Sequence, residues 1–258
     1  MTLIDTHCHL DFPEFDADRE LILQRSHARG IEKMILSGVL ADGWSRLIDL
    51  SKRYPQLYAA PGLHPNFLDQ GDPADLERLD HFISNGLPLV AIGETGLDFY
   101  CKKDDYSDQY CYFEMQIELA ARHQLPLILH VRKAHDQVAR LLKQKRFSNG
   151  GVVHCYSGSL QQAQRYLDMG FKLGIGGVVT FPGSHRLHRI VSGLPLSSFV
   201  LETDAPDIPP YGRTGERNSP EYLTDIFHGF CQYRDEEEDQ LREALYQNTI
   251  ALFRNLGN

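Results

Sequence analysis

Eight short apolar runs rich in β-branched residues recur along the chain at fairly even intervals. They are LID (3–5), KMILSG (33–38), LYAAPG (57–62), LVAIGE (89–94), LILHV (127–131), GVVHC (151–155), KLGIGG (172–177) and FVLETD (199–204). Runs this short read as buried strands, and the segments between them carry helical spacing with recognisable ends. Ser159 and Gln162 make a capping-box pattern before a helix that stops at Gly170. Residues 19–29 end at Gly30, 75–85 end at Gly86, and Ser184 is placed to cap a short helix running to Gly193. The stretch from Pro220 onward reads as two closing helices, entered through the acidic run 235–239. Eight strands alternating with helices over about 250 residues predict an α/β protein, a (β/α)8 TIM barrel. A doubly wound open sheet is the competing arrangement. No linker or break in composition divides the chain, so residues 1–258 are expected to form a single domain.

The polar residues that close these runs are unusual in kind. His7 and His9 follow the first run and His64 follows the third. Glu94 closes the fourth, His130 the fifth, His154 the sixth, and Glu202 with Asp204 the eighth. With 12 His in 258 residues, chance alone supplies roughly half an H-x-H pair, so His7 and His9 by themselves decide nothing. In a barrel, however, all of these positions fall on the C-terminal rim, where active sites are built. Side chains at i and i+2 of a strand share a face, which pairs His7 with His9 and Glu202 with Asp204. Imidazoles and carboxylates together suit Zn, Mn or Fe, and Mg among hard cations. The set also exceeds what one four-coordinate ion with an open position requires. Two divalent metal ions are expected, with Glu94 between them.

Bulk properties narrow the function classes. The 42% hydrophobic and 24% charged content is that of a soluble globular protein and excludes disordered or fibrous classes. The absence of a long apolar run predicts no membrane association, and the direct start into TLIDTH predicts no secretory signal. Five cysteines without C-x-x-C spacing predict reduced thiols and a cytoplasmic protein. A net charge of −9 argues against gripping long duplex nucleic acid through the overall field, while leaving room for a local phosphate site. No obligate protein partner is evident.

IDTHCHLD, GLHP, GETGLDFY, LPLILHVRKAHD, GVVHCYSGS, GIGGVVTF and LETDAP stand in this order between Ile4 and Pro206. Together they resemble the TatD-like metal-dependent hydrolases, in particular their YjjV branch, over essentially the whole chain. The resemblance implies a metal-dependent TIM barrel. His7, His9 and Asp204 would hold one ion, His130 and His154 the second, and Glu94 would bridge, where related amidohydrolases use a carboxylated lysine. It further implies a deoxyribonuclease with 3′→5′ exonuclease character on single-stranded DNA. Thr95 and Tyr156 depart from the usual Ile and Phe without touching a ligand position, and the loop 99–105 leaves the substrate class open.

The expected chemistry is phosphodiester hydrolysis by a water that two divalent ions acidify, with Glu94 and Asp204 as catalytic carboxylates and Asp204 moving the proton. Glu202, one layer deeper, is expected to orient a ligand. Arg132, on the face of His130, and His64 are the candidate substrate-binding residues, with a surface ion pair as the competing role for Arg132. The GIGG stretch (174–177) is a candidate phosphate cradle or a structurally required tight loop. Lys102, Lys103, Arg213 and Arg217 are candidates for a modest basic funnel. The alternative is an amidohydrolase-like enzyme cleaving a C–N or ester bond of a small substrate, for which the same ligands serve equally well. A small phosphoester is the alternative to nucleic acid within the first reading. A barrel serving only as a binding module has no use for six convergent ligands.

Overall fold

The computed structural model describes residues 2–72, 74–85, 87–100 and 105–256. The strands are β1 (Leu3–Cys8), β2 (Ile31–Ser37), β3 (Leu57–Ala60), β4 (Ile92–Asp98), β5 (Leu127–Arg132), β6 (Gly151–Val153), β7 (Phe171–Ile175) and β8 (Phe199–Leu201). Between them run α1 (Arg19–Ala28), α2 (Ala41–Arg53), α3 (Asp75–Ser84), α4 (Ser107–Arg122), α5 (His135–Gln144), α6 (Leu160–Leu167) and α7 (His185–Gly193). α8 (Leu223–Cys231) and α9 (Glu238–Leu252) follow. The expected termini hold at α1 and α6. Gly30 and Gly170 take left-handed φ values of 78° and 81°, and Ser159 and Gln162 form the reciprocal capping box. Ser184 precedes α7 without a side-chain cap, and Gly86 lies outside the described residues.

All strand pairs are parallel, in two arcs ordered β1-β2-β3 and β4-β5-β6-β7-β8. Two seams join the arcs into a TIM barrel. At the first, Val90 N–H donates to Ala59 O at 3.0 Å, Gly38 N–H to Gly93 O at 2.9 Å and Glu94 N–H to Gly38 O at 2.8 Å. At the second, Asp204 N–H donates to His7 O at 2.9 Å and His9 N–H to Ala205 O at 2.8 Å. Side chains complete this seam. Thr203 donates its N–H to Asp5 Oδ1 at 2.9 Å and its hydroxyl to Asp5 Oδ2 at 2.5 Å, and Thr6 Oγ1 donates to Leu201 O at 3.0 Å. Burial lifts the Asp5 carboxyl to about 7 against the pull of the Thr203 bonds.

Inside the barrel Ile4, Ile35, Ala60, Ile128, Val152 and Val200 pack together, and Phe253 and Leu256 join them from the end of the chain. A larger apolar layer, including Trp44, Phe113, Tyr166 and Phe227, fills the space between strands and helices. The interior residues fix the phase of each strand. Ile128 and Val152 face inward, so His130 and His154, two residues on, face the rim above them. β1 and β4 need an extra step. Ile4 and His7 are an odd number apart, and a register shift between Asp5 and Cys8 restores the phase. A second shift between Ile92 and Thr95 turns Glu94 inward although Ile92 packs in the outer layer.

One boundary differs from expectation. β4 begins at Ile92 and continues through GETGLD to Asp98, whereas Leu89 makes only an isolated bridge to Ala59. The apolar run marks the barrel interior, and the strand goes on into the polar rim where apolar pattern has no meaning.

Candidate metal centre

β1 delivers His7 and His9, and β2 orients both. Ser37 Oγ lies 3.0 Å from His7 Nδ1, and Ser37 O lies 3.0 Å from His9 Nδ1. A carbonyl only accepts, so His9 Nδ1 carries the proton and its Nε2 presents a lone pair. The two Nε2 atoms then face each other at 3.2 Å. Glu94 Oε2 stands 3.4 and 3.6 Å from them, and Asp204 Oδ1 3.5 and 3.9 Å. All four side chains are buried. His9 Nε2 and the two carboxylates are acceptors crowded around His7 Nε2, an arrangement that is costly unless a proton or a metal cation lies among them. Ligand bonds of Zn-type length set donors roughly 3.3–3.6 Å apart around a tetrahedral ion, so this set fits a divalent metal.

The other oxygen of Glu94 faces a second group. Oε1 is 2.8 Å from His130 Nδ1, 3.5 Å from His64 Nε2 and 3.9 Å from His154 Nε2. His64 is fixed because its Nδ1 accepts the Asn66 N–H at 3.1 Å. His130 is held from behind by Asp98, whose Oδ2 lies 2.9 Å from Nε2. The same carboxylate accepts from Asn66 Nδ2 at 2.8 Å and from Tyr100 N–H at 2.8 Å. Glu94 thus turns one oxygen toward each group, the posture of a bridging carboxylate.

His154 stands between the groups. Its ring stacks on His7 at 3.7 Å, and its Nε2 is 3.5 Å from Asp204 Oδ1. Behind it Glu202, fully buried, brings Oε1 to 2.9 Å from His154 Nδ1, off the line of a hydrogen bond, and accepts the Cys155 N–H at 2.5 Å. A Cβ on Gly174 would sit 2.3 Å from Glu202 Oε2. One on Gly177 would sit 2.3 Å from Ile208 O. Close packing therefore accounts for these two glycines of the GIGG stretch.

Burial opposes charge throughout the cluster, and the neighbours overcome it at the carboxylates and at His130 but not at His9. Glu94 is held well below the usual carboxylate range by His64, His7, His130 and His154. Asp204 is pulled down by His154 and His7, despite burial. Asp98 and Glu94 lift His130 to about 9 against its burial, whereas burial and the neighbouring His7 take His9 down to about 4.

The structure thus brings His7, His9, Glu94, His130, His154 and Asp204 together, with Glu202 behind them. Other placements add to this picture. His64 joins Glu94 and His130 in one candidate ion group, while His154 groups with His7 and Glu94. His154 Nε2 also lies 3.9 Å from Glu94 Oε1 and 3.5 Å from Asp204 Oδ1, within reach of both groups. Ser37 and Asp98 hold ligand rings and were passed over in the sequence. Ser37 is also the polar residue at the end of an apolar run, and Asp98 stands four residues beyond Glu94 on the same strand. Arg213 and Arg217 are not a funnel. The first binds Asp225 at 2.7 Å and the second Asp18 at 2.5 Å. Arg132 forms neither a contact with the ligand cluster nor a surface ion pair among the described residues. Its guanidinium lies 3.6 Å over the Tyr100 ring. Lys102 and Lys103 lie outside the described residues.

The model of the TatD related DNase family matches residues 4–254. The chain belongs to the TatD family. It is a metal-dependent hydrolase of that family, and its relatives have the same length. The uncharacterized metal-dependent hydrolase YjjV of Escherichia coli K12 is 41% identical over 251 residues, covering 97% of both chains. The crystal structure of that TatD homolog superimposes with a TM-score of 0.95, covering 98% of each chain. The 3′-5′ ssDNA/RNA exonuclease TatD of Salmonella typhimurium is 31% identical over 257 residues, covering 97% of this chain and 98% of that one. No helix of this TatD-family hydrolase, among the described residues, is long and apolar enough to cross a membrane.

Proposed function

We propose that the site hydrolyses phosphodiester bonds of single-stranded nucleic acid, DNA before RNA, from the 3′ end. The observation that carries this reading is the division of Glu94, with one oxygen toward the His7/His9/Asp204 group and the other toward His64 and His130. Bound there, two divalent ions would acidify a shared water and neutralise charge on the reacting phosphoryl group. The TatD exonuclease of Salmonella, at 31% identity, supports the nucleic-acid class.

The protein's own residues supply the rest. Asp204 is anionic and placed to take the proton of the attacking water and return it to the departing oxygen. Its position is set by the β8–β1 seam, where its own N–H is bonded to His7 O at 2.9 Å. Asp98 holds the His130 ring from behind, and the Glu202 carboxylate stands 2.9 Å behind His154 Nδ1 as a counter-charge when the centre develops charge. Arg132, spread over Tyr100 at the rim, is the candidate for the phosphate beyond the scissile one.

A second reading, hydrolysis of a C–N or ester bond of a small substrate, draws on the pairing of Arg213 and Arg217 with carboxylates, which leaves the acidic chain little positive field. One comparison separates them. The protein is stripped of metal, reloaded with Mg, Mn or Zn, and assayed on single-stranded DNA, RNA and a panel of small amides and esters. The first reading predicts metal-dependent release of mononucleotides and its loss in Glu94→Gln. Turnover of the amide panel alone overturns it.

A further inference from the structure

A cavity of about 350 Å³ opens beside the metal centre, between the segment after β6 and helix α7. Tyr156, Val178, Leu187 and Ile190 supply apolar walls, while Ser157 and Arg186 supply polar groups. Cys155 lines it as well, and its Sγ is 3.8 Å from Asp204 Oδ2, so cavity and centre share a wall. Its size is that of sites which enclose small organic groups, roughly 300–1,000 Å³. Arg186 is exposed and has no carboxylate partner among the described residues, unlike Arg213 and Arg217.

We propose that this cavity receives the nucleobase of the nucleotide whose phosphodiester is cleaved, so that Arg186 and the Tyr156–Leu187 walls determine substrate preference. The inference rests on the phosphodiesterase reading. A planar heteroaromatic ring suits these surroundings. Apolar walls desolvate its faces, and a guanidinium with the Ser157 hydroxyl meets its polar edge. A phosphate alone would leave four apolar walls unused. A saturated apolar group would make no use of the Arg186 guanidinium and the Ser157 hydroxyl. The shared wall at Cys155, whose Sγ is 3.8 Å from Asp204 Oδ2, makes the cavity a neighbour of the centre where the phosphate would react.

Gly183 offers a clean way to close the cavity. It lines the space, and a Cβ there would meet nothing within 4 Å, so Gly183→Phe adds bulk at the cavity wall from an unhindered Cβ. Arg186→Met removes the charge at an exposed position where folding is not at risk. The metal-loaded enzyme is given thymidine 5′-(4-nitrophenyl phosphate) and methyl 4-nitrophenyl phosphate, which differ in the nucleoside. The wild type is expected to favour the nucleoside ester in kcat/KM by about tenfold or more, the size of one base contact. Gly183→Phe should erase this preference and Arg186→Met reduce it several-fold, with the methyl ester unchanged within about twofold. Equal rates on both esters in the wild type, a parallel fall on both esters, or an unchanged preference in both variants overturns the proposal. Calorimetric titration with thymidine 5′-monophosphate and deoxyribose 5-phosphate gives a readout without turnover. Tighter binding of the nucleotide, lost in Gly183→Phe, upholds the cavity even where neither ester is cleaved, and then the phosphodiesterase reading alone falls. Equal binding of the two overturns the cavity assignment.

Discussion

His130 is clasped between two carboxylates, with Nδ1 2.8 Å from Glu94 Oε1 and Nε2 2.9 Å from Asp98 Oδ2. The Asp98 side is the outer one and leaves Nδ1 for the centre. An imidazole so held loses little freedom when it takes a metal and is made more basic by its carboxylate. Asp98→Asn is therefore expected to weaken metal affinity about 10- to 100-fold, with most activity recovered at saturating metal. Metal titration followed by activity at saturation checks this. Unchanged affinity would show that Asp98 only braces the Tyr100 loop.

Removing the ions has a thermal signature. A ligand that binds only the folded chain stabilises it by about 2.7 kcal/mol at a hundredfold excess over Kd. Chelation should lower Tm by several degrees, and reloading should restore it. Removing a donor from each group, in the combined variant His7→Asn with His130→Asn, should make Tm independent of chelator, measured by scanning calorimetry. A shift persisting there would place the stabilising ions elsewhere.

Gly174→Ala tests the packing behind His154. Its methyl group would fall 2.3 Å from Glu202 Oε2, deep in the core and against a carboxylate that has nowhere to move. Overpacking of this kind costs about 1–3 kcal/mol, and displacing Glu202 releases His154 as well. Both Tm and metal affinity should fall. A loss of stability with metal binding intact would detach Glu202 from the site.

His135 makes stability depend on pH. It is buried, its two ring nitrogens have no hydrogen-bond partner, and burial lowers it to about 4. The unfolded chain takes up this proton near 6.5 and the folded one near 4. The histidine's contribution is thus present above about pH 6.5 and lost as pH falls toward 4, by about 3 kcal/mol in all. His135→Phe should flatten that part of the profile in urea titrations between pH 7 and 4. An unchanged slope would mean that the ring is reached by water.

The rim arginines are expected to separate. Arg213→Gln and Arg217→Gln remove carboxylate-bound side chains and should cost about 1 kcal/mol or less while leaving kcat/KM on single-stranded DNA as it is. Arg132→Gln should raise KM several-fold and reduce its salt dependence. Equal effects from all three would restore the funnel.

Much of this was legible from residue order alone. An apolar run of strand length followed by His, Glu or Asp, repeated around the chain, determines both the barrel and the rim on which those side chains meet. Strand polarity in a parallel barrel sends every strand end to one face, so no further information is needed. Ser37 was equally legible by that rule, and only its mildness as a side chain hid it. Asp98 was harder to see, because it lies beyond the point where apolar pattern stops reporting on the strand.

What only the tertiary structure decided is how the donors divide. Two register shifts, at Asp5–Cys8 and Ile92–Thr95, set the phase of β1 and β4, and no residue pattern announces them. They turn His7 and Glu94 inward, while the segment after β3 brings His64 beside His130 at the second oxygen of Glu94. The fate of the arginines was decided in the same way. Whether a rim cation is free or bound depends on carboxylates from other segments, such as Asp225 of α8 for Arg213 and Asp18 for Arg217, which closure of the barrel brings within reach. Local sequence determines which groups reach the rim. Distances between strands, fixed by register and closure, determine which of them act together.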